Sequence, residues 1–175
     1  KLKDFSRRES YSPPSDTTLD IRKRFLPRDA NMLGIVFGGI TVELMEELAL
    51  ATARQFTGNF RMVTIAMEDV FFMKPLRTSD MADMSAKVVF VGHTTLVVEV
   101  TVKAFRLFAT DGGEVTNNGT FTVLNMSPEG KKIPITRGLD LPKTDLATRR
   151  SYLKEQIKYL DRTGIDPTFT AACIE

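Results

Sequence analysis

Residues 38–58 read GGITVELMEELALATARQFTG, and this stretch decides the fold. Gly38-Gly39 opens it, Gly58 closes it, and neither proline nor glycine interrupts Ile40 to Phe56. Ala, Leu, Met and Glu dominate the interior, residues that lose little rotamer freedom in a helix. The pattern predicts one long helix over Ile40–Phe56, stopped at Gly58. At about 100° per residue most of its circumference is apolar, so the helix must be wrapped rather than laid on a surface.

The flanking sequence supplies the wrapping. Before the helix, Thr17 to Phe25 (TTLDIRKRF) reads as a first strand, and Leu26 to Phe37 as a loop punctuated by Pro27, Asp29, Asn31 and Gly34. After it come four strand-like runs, Arg61–Phe72, Met81–Val91, Thr94–Phe108 and Glu114–Met126. In the second run Met84, Ala86, Val88 and Phe90 alternate with Asp83, Ser85 and Lys87, the period of a half-buried strand. The links between the last three runs are short, with turns at Gly92-His93 and Gly112-Gly113, which predicts an antiparallel meander. Pro128 to Pro142 reads as a loop. Leu146, Leu153, Ile157 and Leu160 are helix-spaced, so Asp145–Arg162 is expected to form an amphipathic terminal helix. The expected class is α+β: a curved antiparallel sheet around one central helix, plus that C-terminal helix. Residues 1–16, with Pro13-Pro14, are expected to form an extended arm, 17–142 the main domain, and 143–175 the terminal helix and tail.

The chain has 175 residues, 42% of them hydrophobic and 26% charged, the make-up of one ordinary globular domain. Its 24 basic and 22 acidic residues leave a formal charge of +2, too little to argue for a nucleic-acid partner. One histidine, His93, and one cysteine, Cys173, fall short of the usual zinc ligand sets. A Cys-His or Ser-His-Asp mechanism would have to run through His93, which falls in a turn. No apolar run reaches the length that crosses a bilayer, and no Walker, GxGxxG or G-x-S-x-G motif is present. Asn118-Gly119-Thr120 and Asn125-Met126-Ser127 match the glycosylation sequon but read as strand residues. The expected compartment is the cytoplasm, with a mitochondrial or other organelle address as the alternative, since the chain opens on Lys1 rather than Met.

Two features could carry chemistry. Gly38-Gly39 stands at a helix start, where the first N–H groups lack internal partners and bear partial positive charge. A negative charge developing there would be stabilised, as in acyl transfer; the competing reading is a tight turn needing positive φ. The other feature is Glu46. With Ile40 at zero, Glu43 and Glu47 fall at about 300° and 340°, whereas Glu46 falls at about 240° beside Ala53. Glu46 is thus displaced toward the apolar flank, where a carboxylate is costly unless paired or functional. A general base or nucleophile is one reading, and a half-exposed surface glutamate the other.

Four blocks in this order resemble the hotdog-fold acyl-CoA thioesterases, especially their acyl-CoA hydrolase branch. They are DANMLGIVFGG (29–39), Glu46-Glu47-Leu48-Ala49, VTIAMEDVFFMKP (63–75) and Gly92-His93-Thr94-Thr95. The resemblance implies hydrolysis of an acyl-CoA to a free fatty acid and CoA, with no cofactor beyond the CoA of the substrate. It implies a dimer with two sites across its interface, assembled further into tetramers or hexamers. By resemblance, the Gly39 N–H, with Gly38, polarises the thioester carbonyl. Glu46 acts from the partner subunit on water or as the nucleophile. Asn31 and Thr64 assist the carboxylate, Thr64 standing in for a serine. Phe37 and Val36 line the thioester site, and Thr94 and Thr95 lie near the CoA arm. One position departs from the pattern. Ile35 stands where the branch commonly has a catalytic Asp or Asn, and its side chain can neither hydrogen-bond nor take a proton. That departure motivates an alternative, a catalytically silent hotdog protein that binds acyl-CoA as a sensor, carrier or assembly subunit. A dehydratase on the same fold would need a catalytic His and would rest on His93.

Overall fold

The structure is a computed structural model that describes residues 8–106, 112–142 and 145–164. Cys173 lies outside them. Among the described residues seven strands and two α-helices follow one another as β1 (Ser10–Ser12), β2 (Leu19–Arg24), α1 (Gly38–Thr57), β3 (Met62–Phe72), β4 (Asp80–Val91), β5 (Thr95–Arg106), β6 (Glu114–Asn125), β7 (Arg137–Leu139) and α2 (Leu146–Thr163).

α1 begins on the glycine pair and ends at Gly58, which takes φ 70° and returns its N–H to the carbonyl of Arg54. Thr41, Met45, Leu48, Ala49, Thr52, Ala53 and Phe56 form its buried stripe. They pack on the inward residues of the sheet, Met84, Ala86, Val88, Val98, Val100, Val102 and Phe121 among them. Glu43, Glu47 and Gln55 are exposed, while Val42, Leu44, Glu46 and Leu50 are half-buried. The sheet therefore wraps one side of the helix and leaves the other open.

The main sheet has the order β2-β4-β5-β6-β3 and is antiparallel throughout. β4, β5 and β6 form the expected meander. β3 departs from it: the strand pairs with β6 at the far edge rather than with β4. The reason is α1, which returns the chain antiparallel under the sheet and delivers β3 to the edge away from β2. Two further differences are local. A 3-10 turn, Pro14–Thr17, precedes β2, so the first strand starts later than its β-branched onset suggests. Within the expected arm and the expected 128–142 loop, β1 and β7 pair in parallel, laying part of the arm against the body.

The two sheet edges differ in kind. β2 carries Asp20, Arg22, Lys23 and Arg24, with Arg22 held bidentate by Asp83, charges that discourage strand addition. β3 instead exposes Val63 (41%), Ile65 (54%) and Met67 (52%) along its free edge.

α2 lies on the outer face. Tyr152 and Tyr159 pack on the Phe90 ring at 5.1 and 5.4 Å between centroids. Lys158 then ties the helix to β3: its Nζ is 2.6 Å from Asp69 Oδ2 and 3.1 Å from Glu155 Oε1. Burial works against the charge on Lys158, but the hydrogen bonds and fields of Asp69 and Glu155 outweigh it and raise its pKa. Glu155 is only 3% exposed, and its Oε2 finds no hydrogen-bond partner among the described residues. Lys158→Met would strand that carboxylate. We expect about 2–3 kcal/mol of lost stability in urea unfolding, because an uncompensated buried charge costs more than the pair contributes.

Candidate active site at the start of the central helix

The loop before α1 is built by Asn31. Its Oδ1 accepts from the backbone N–H groups of Leu33 (3.0 Å) and Ile35 (3.1 Å), an Asx arrangement that turns the chain. Phe37 N–H then donates to the Asp29 carbonyl at 3.0 Å, and Val36 N–H to that of Leu76 at 2.8 Å. These bonds fix the point at which the helix opens. Phe37 is the N-cap residue, in extended conformation, and supplies no side-chain cap; no acidic residue stands in the first turn. The helix start thus keeps the partial positive charge of its free N–H groups.

The two glycines do different work. Neither has positive φ, so the tight-turn reading does not account for them. At Gly38 a Cβ would stand 3.0 Å from the Phe72 ring, so the ring would have to give by a few tenths of an ångström. At Gly39 a Cβ would meet nothing within 4 Å, so the chain itself does not require glycine there. The space is free for another molecule to approach the backbone. Gly39→Ala separates the two roles. We expect thermal stability unchanged or raised by about 0.5–1 kcal/mol, because alanine is the better helix residue, together with a fall in activity.

A cleft of about 330 Å³ opens beside this helix start, lined by Ile35, Val36, Gly38, Phe72 and Leu76 and, at its polar points, by Thr41, Lys74 and Asn117. Lys74 is paired with Glu114, and its hydrogen bond holds the Glu114 carboxyl below the usual range. Asn117 is 2% exposed. Its place in a strand, where asparagine is disfavoured, is the signal by which the sequence could have marked it. The sequence reading passed over it.

The structure brings Asn31, Val36, Phe37, Gly38 and Gly39 together but leaves the other candidates apart. Glu46 stands seven residues beyond Gly39, roughly 10 Å along the helix axis and farther than a glutamate side chain reaches. Among the described residues its carboxylate has neither a hydrogen bond nor an ion pair. Thr64 lies near the start of β3, its Oγ1 buried and without a hydrogen-bond partner among the described residues. Thr94 and Thr95 stand at the β4–β5 turn. Thr95 is seven residues along β5 from Val102, the register partner of Asn117, a span of roughly 23 Å. His93 shares that turn, and its carbonyl accepts from Ile135 N–H at 2.8 Å. The dehydratase reading therefore finds no histidine near the cleft among the described residues.

Comparison with known proteins agrees with this architecture. Residues 33–106 match the model of the thioesterase superfamily. The human cytosolic acyl coenzyme A thioester hydrolase is 27% identical over 111 residues, which span 62% of this chain and 29% of that protein. The chain thus spans under a third of the length of that relative. Among solved structures, the acyl-CoA hydrolase of Staphylococcus aureus, in complex with butyryl-CoA, CoA and CoA disulfide, superposes with a TM-score of 0.77 at 22% identity. The match covers 88% of this chain and 91% of that one. Its Asp→Ala, Thr→Ala and Asn→Ala variants superpose as well. An apo-hexameric acyl-CoA thioesterase gives 0.76 at 23% identity, covering 95% and 99%. The chain shares the hotdog fold of these structures, a five-stranded antiparallel sheet wrapped on a long helix. Among the described residues no helix is long and apolar enough to cross a membrane.

Proposed function

We propose that this chain hydrolyses an acyl-CoA to the free acid and CoA at a site shared by two copies of itself. The observation that carries the reading is the uncapped start of α1 opening on a largely apolar cleft. A thioester carbonyl seated there accepts from the Gly39 N–H, with Gly38 beside it, and gains most when its oxygen becomes negative in the transition state. Phe37 and Val36 flank the reacting group. Since Glu46 cannot reach the start of its own helix, the carboxylate comes from a second copy. It removes a proton from water, and the oxygen of that water bonds to the carbonyl carbon. Collapse of the tetrahedral intermediate breaks the C–S bond, and the proton passes to the departing CoA sulfur. Attack by Glu46 itself, with later hydrolysis of the anhydride, uses the same geometry. Thr64, with its unpartnered hydroxyl, and Asn31 support the carboxylate and the loop. Thr94 and Thr95 of one copy hold the CoA arm of a substrate whose thioester lies at the helix start of the other.

The apolar edge of β3 supports the pairing. Two such edges joined antiparallel around a two-fold axis would continue the sheet and cover Val63, Ile65 and Met67. The similarity to a hexameric thioesterase supports further assembly of such dimers. The Staphylococcus aureus variants alter an Asp, an Asn and a Thr, residue types similar to or the same as those of Glu46, Asn31 and Thr64. Thiol release from a panel of short- to long-chain acyl-CoAs tests the reading, with steady turnover as the expected result.

A second reading has its own observation. Ile35 lines the cleft with hydrocarbon where the branch commonly has an acid or amide. If activity requires that position, the protein binds acyl-CoA without cleaving it, as a sensor, carrier or assembly subunit. Stoichiometric binding with no thiol release would establish this alternative.

A further inference from the structure

The cleft beside the helix start is apolar except at a few points, and Asn117 is the one among them with an orphaned polar atom. It is 2% exposed, and its Oδ1 is buried without a hydrogen-bond partner among the described residues. A buried amide in that state costs roughly 1–3 kcal/mol. Its neighbours do not relieve it. Its register partners are Val102 and Phe72. The rest of the cleft lining is mostly apolar, Ile35, Val36, Leu76 and Pro75 among it, and Asn117 Oδ1 accepts from neither Thr41 nor Lys74. The adjacent Thr116 is engaged through its carbonyl, which accepts from Met73 and Lys74 N–H at 2.8 and 3.2 Å. A strand-disfavoured residue, buried and unsatisfied in the cleft that opens on the helix start, is the kind of local conflict that a ligand resolves.

We propose that Asn117 selects the acyl group: the preferred substrate carries a hydroxyl a few carbons from its thioester, and that hydroxyl hydrogen-bonds the Asn117 amide. The inference rests on the thioesterase reading of the same site. A hydroxyl both donates and accepts, so it satisfies an amide that a methylene leaves orphaned. Discrimination arises because a plain acyl chain in the cleft leaves the Asn117 amide orphaned, whereas a hydroxyacyl chain gives it a hydrogen bond. The same residue weakens the empty protein, so stability and selectivity are opposed at this position.

The test compares 3-hydroxybutanoyl-CoA, as each enantiomer, with butanoyl-CoA, following thiol release by the wild type, Asn117→Leu and Asn117→Val. Thermal melting of all three proteins accompanies the kinetics. The wild type is expected to favour one hydroxyacyl enantiomer in kcat/KM by about tenfold or more. In both variants that preference should vanish or invert, while the melting temperature stays level or rises. Equal kcat/KM for the two substrates in the wild type would overturn the inference and leave the thioesterase reading standing. So would a preference that survives in either variant. If no acyl-CoA is cleaved, the thioesterase reading falls and this one falls with it.

Discussion

Glu46→Gln is expected to lower kcat for acyl-CoA hydrolysis by about 10²–10⁴-fold, with KM little changed. The substitution keeps size and shape and removes only the ability to take a proton or form an anhydride. Glutamine and glutamate have nearly equal helix propensities, and Glu46 is half-buried with neither a hydrogen bond nor an ion pair among the described residues. Folding should therefore be unaffected, and circular dichroism with thermal melting provides the control. Selectivity within the helix sharpens the test. Glu43 and Glu47 are exposed, and Glu43→Gln and Glu47→Gln are expected to leave kcat unchanged. A Glu46→Gln protein with wild-type kcat would show that the carboxylate plays no part in turnover.

Ile65→Lys is expected to separate the copies and to remove activity together with association. Ile65 is 54% exposed on the free edge of β3, between Val63 and Met67. A lysine there is the device by which edge strands resist pairing, and across a two-fold axis each lysine approaches its own counterpart. The loss of a central apolar contact costs about 2 kcal/mol or more, so dissociation should rise by about 30-fold or more. Sedimentation at several concentrations reads the association, and thiol release at the same concentrations reads the activity. The two should fall in step. A monomeric variant that retains full kcat would place the whole site within one chain.

Much of the fold was legible because periodicity reports burial. The Gly38-Gly39 opening, the Gly58 stop and the alternation of Met84, Ala86 and Val88 each translated directly into α1 and β4. Pairing partners were not legible. Nothing in residues 62–72 says that β3 joins β6 rather than β4; that follows from the course of α1 beneath the sheet. β1 and β7 have three residues each, too few to establish a period of two. In the candidate site, the uncapped helix start was readable from the glycine pair and Glu46 from its displaced angle. Asn117 carried only a weak signal, an asparagine within a strand; that it lines a cleft is shown by the tertiary structure alone. The separation of Gly39 from Glu46 was implicit in the helix rise. The resemblance already implied a carboxylate from the partner subunit, and the structure adds the exposed apolar edge of β3.

The central claim is that one site takes its helix start from one chain and its carboxylate from another. Mixing two inactive variants tests it most directly. Glu46→Gln keeps an intact helix start, and Gly39→Val keeps an intact carboxylate. Unfolded together in equal amounts and refolded, they should form mixed dimers in which one of the two sites pairs the native Gly39 of one chain with the native Glu46 of the other. Random pairing then restores about one quarter of wild-type thiol release. A mixture no more active than either variant alone, with mixed dimers present, would contradict the shared site.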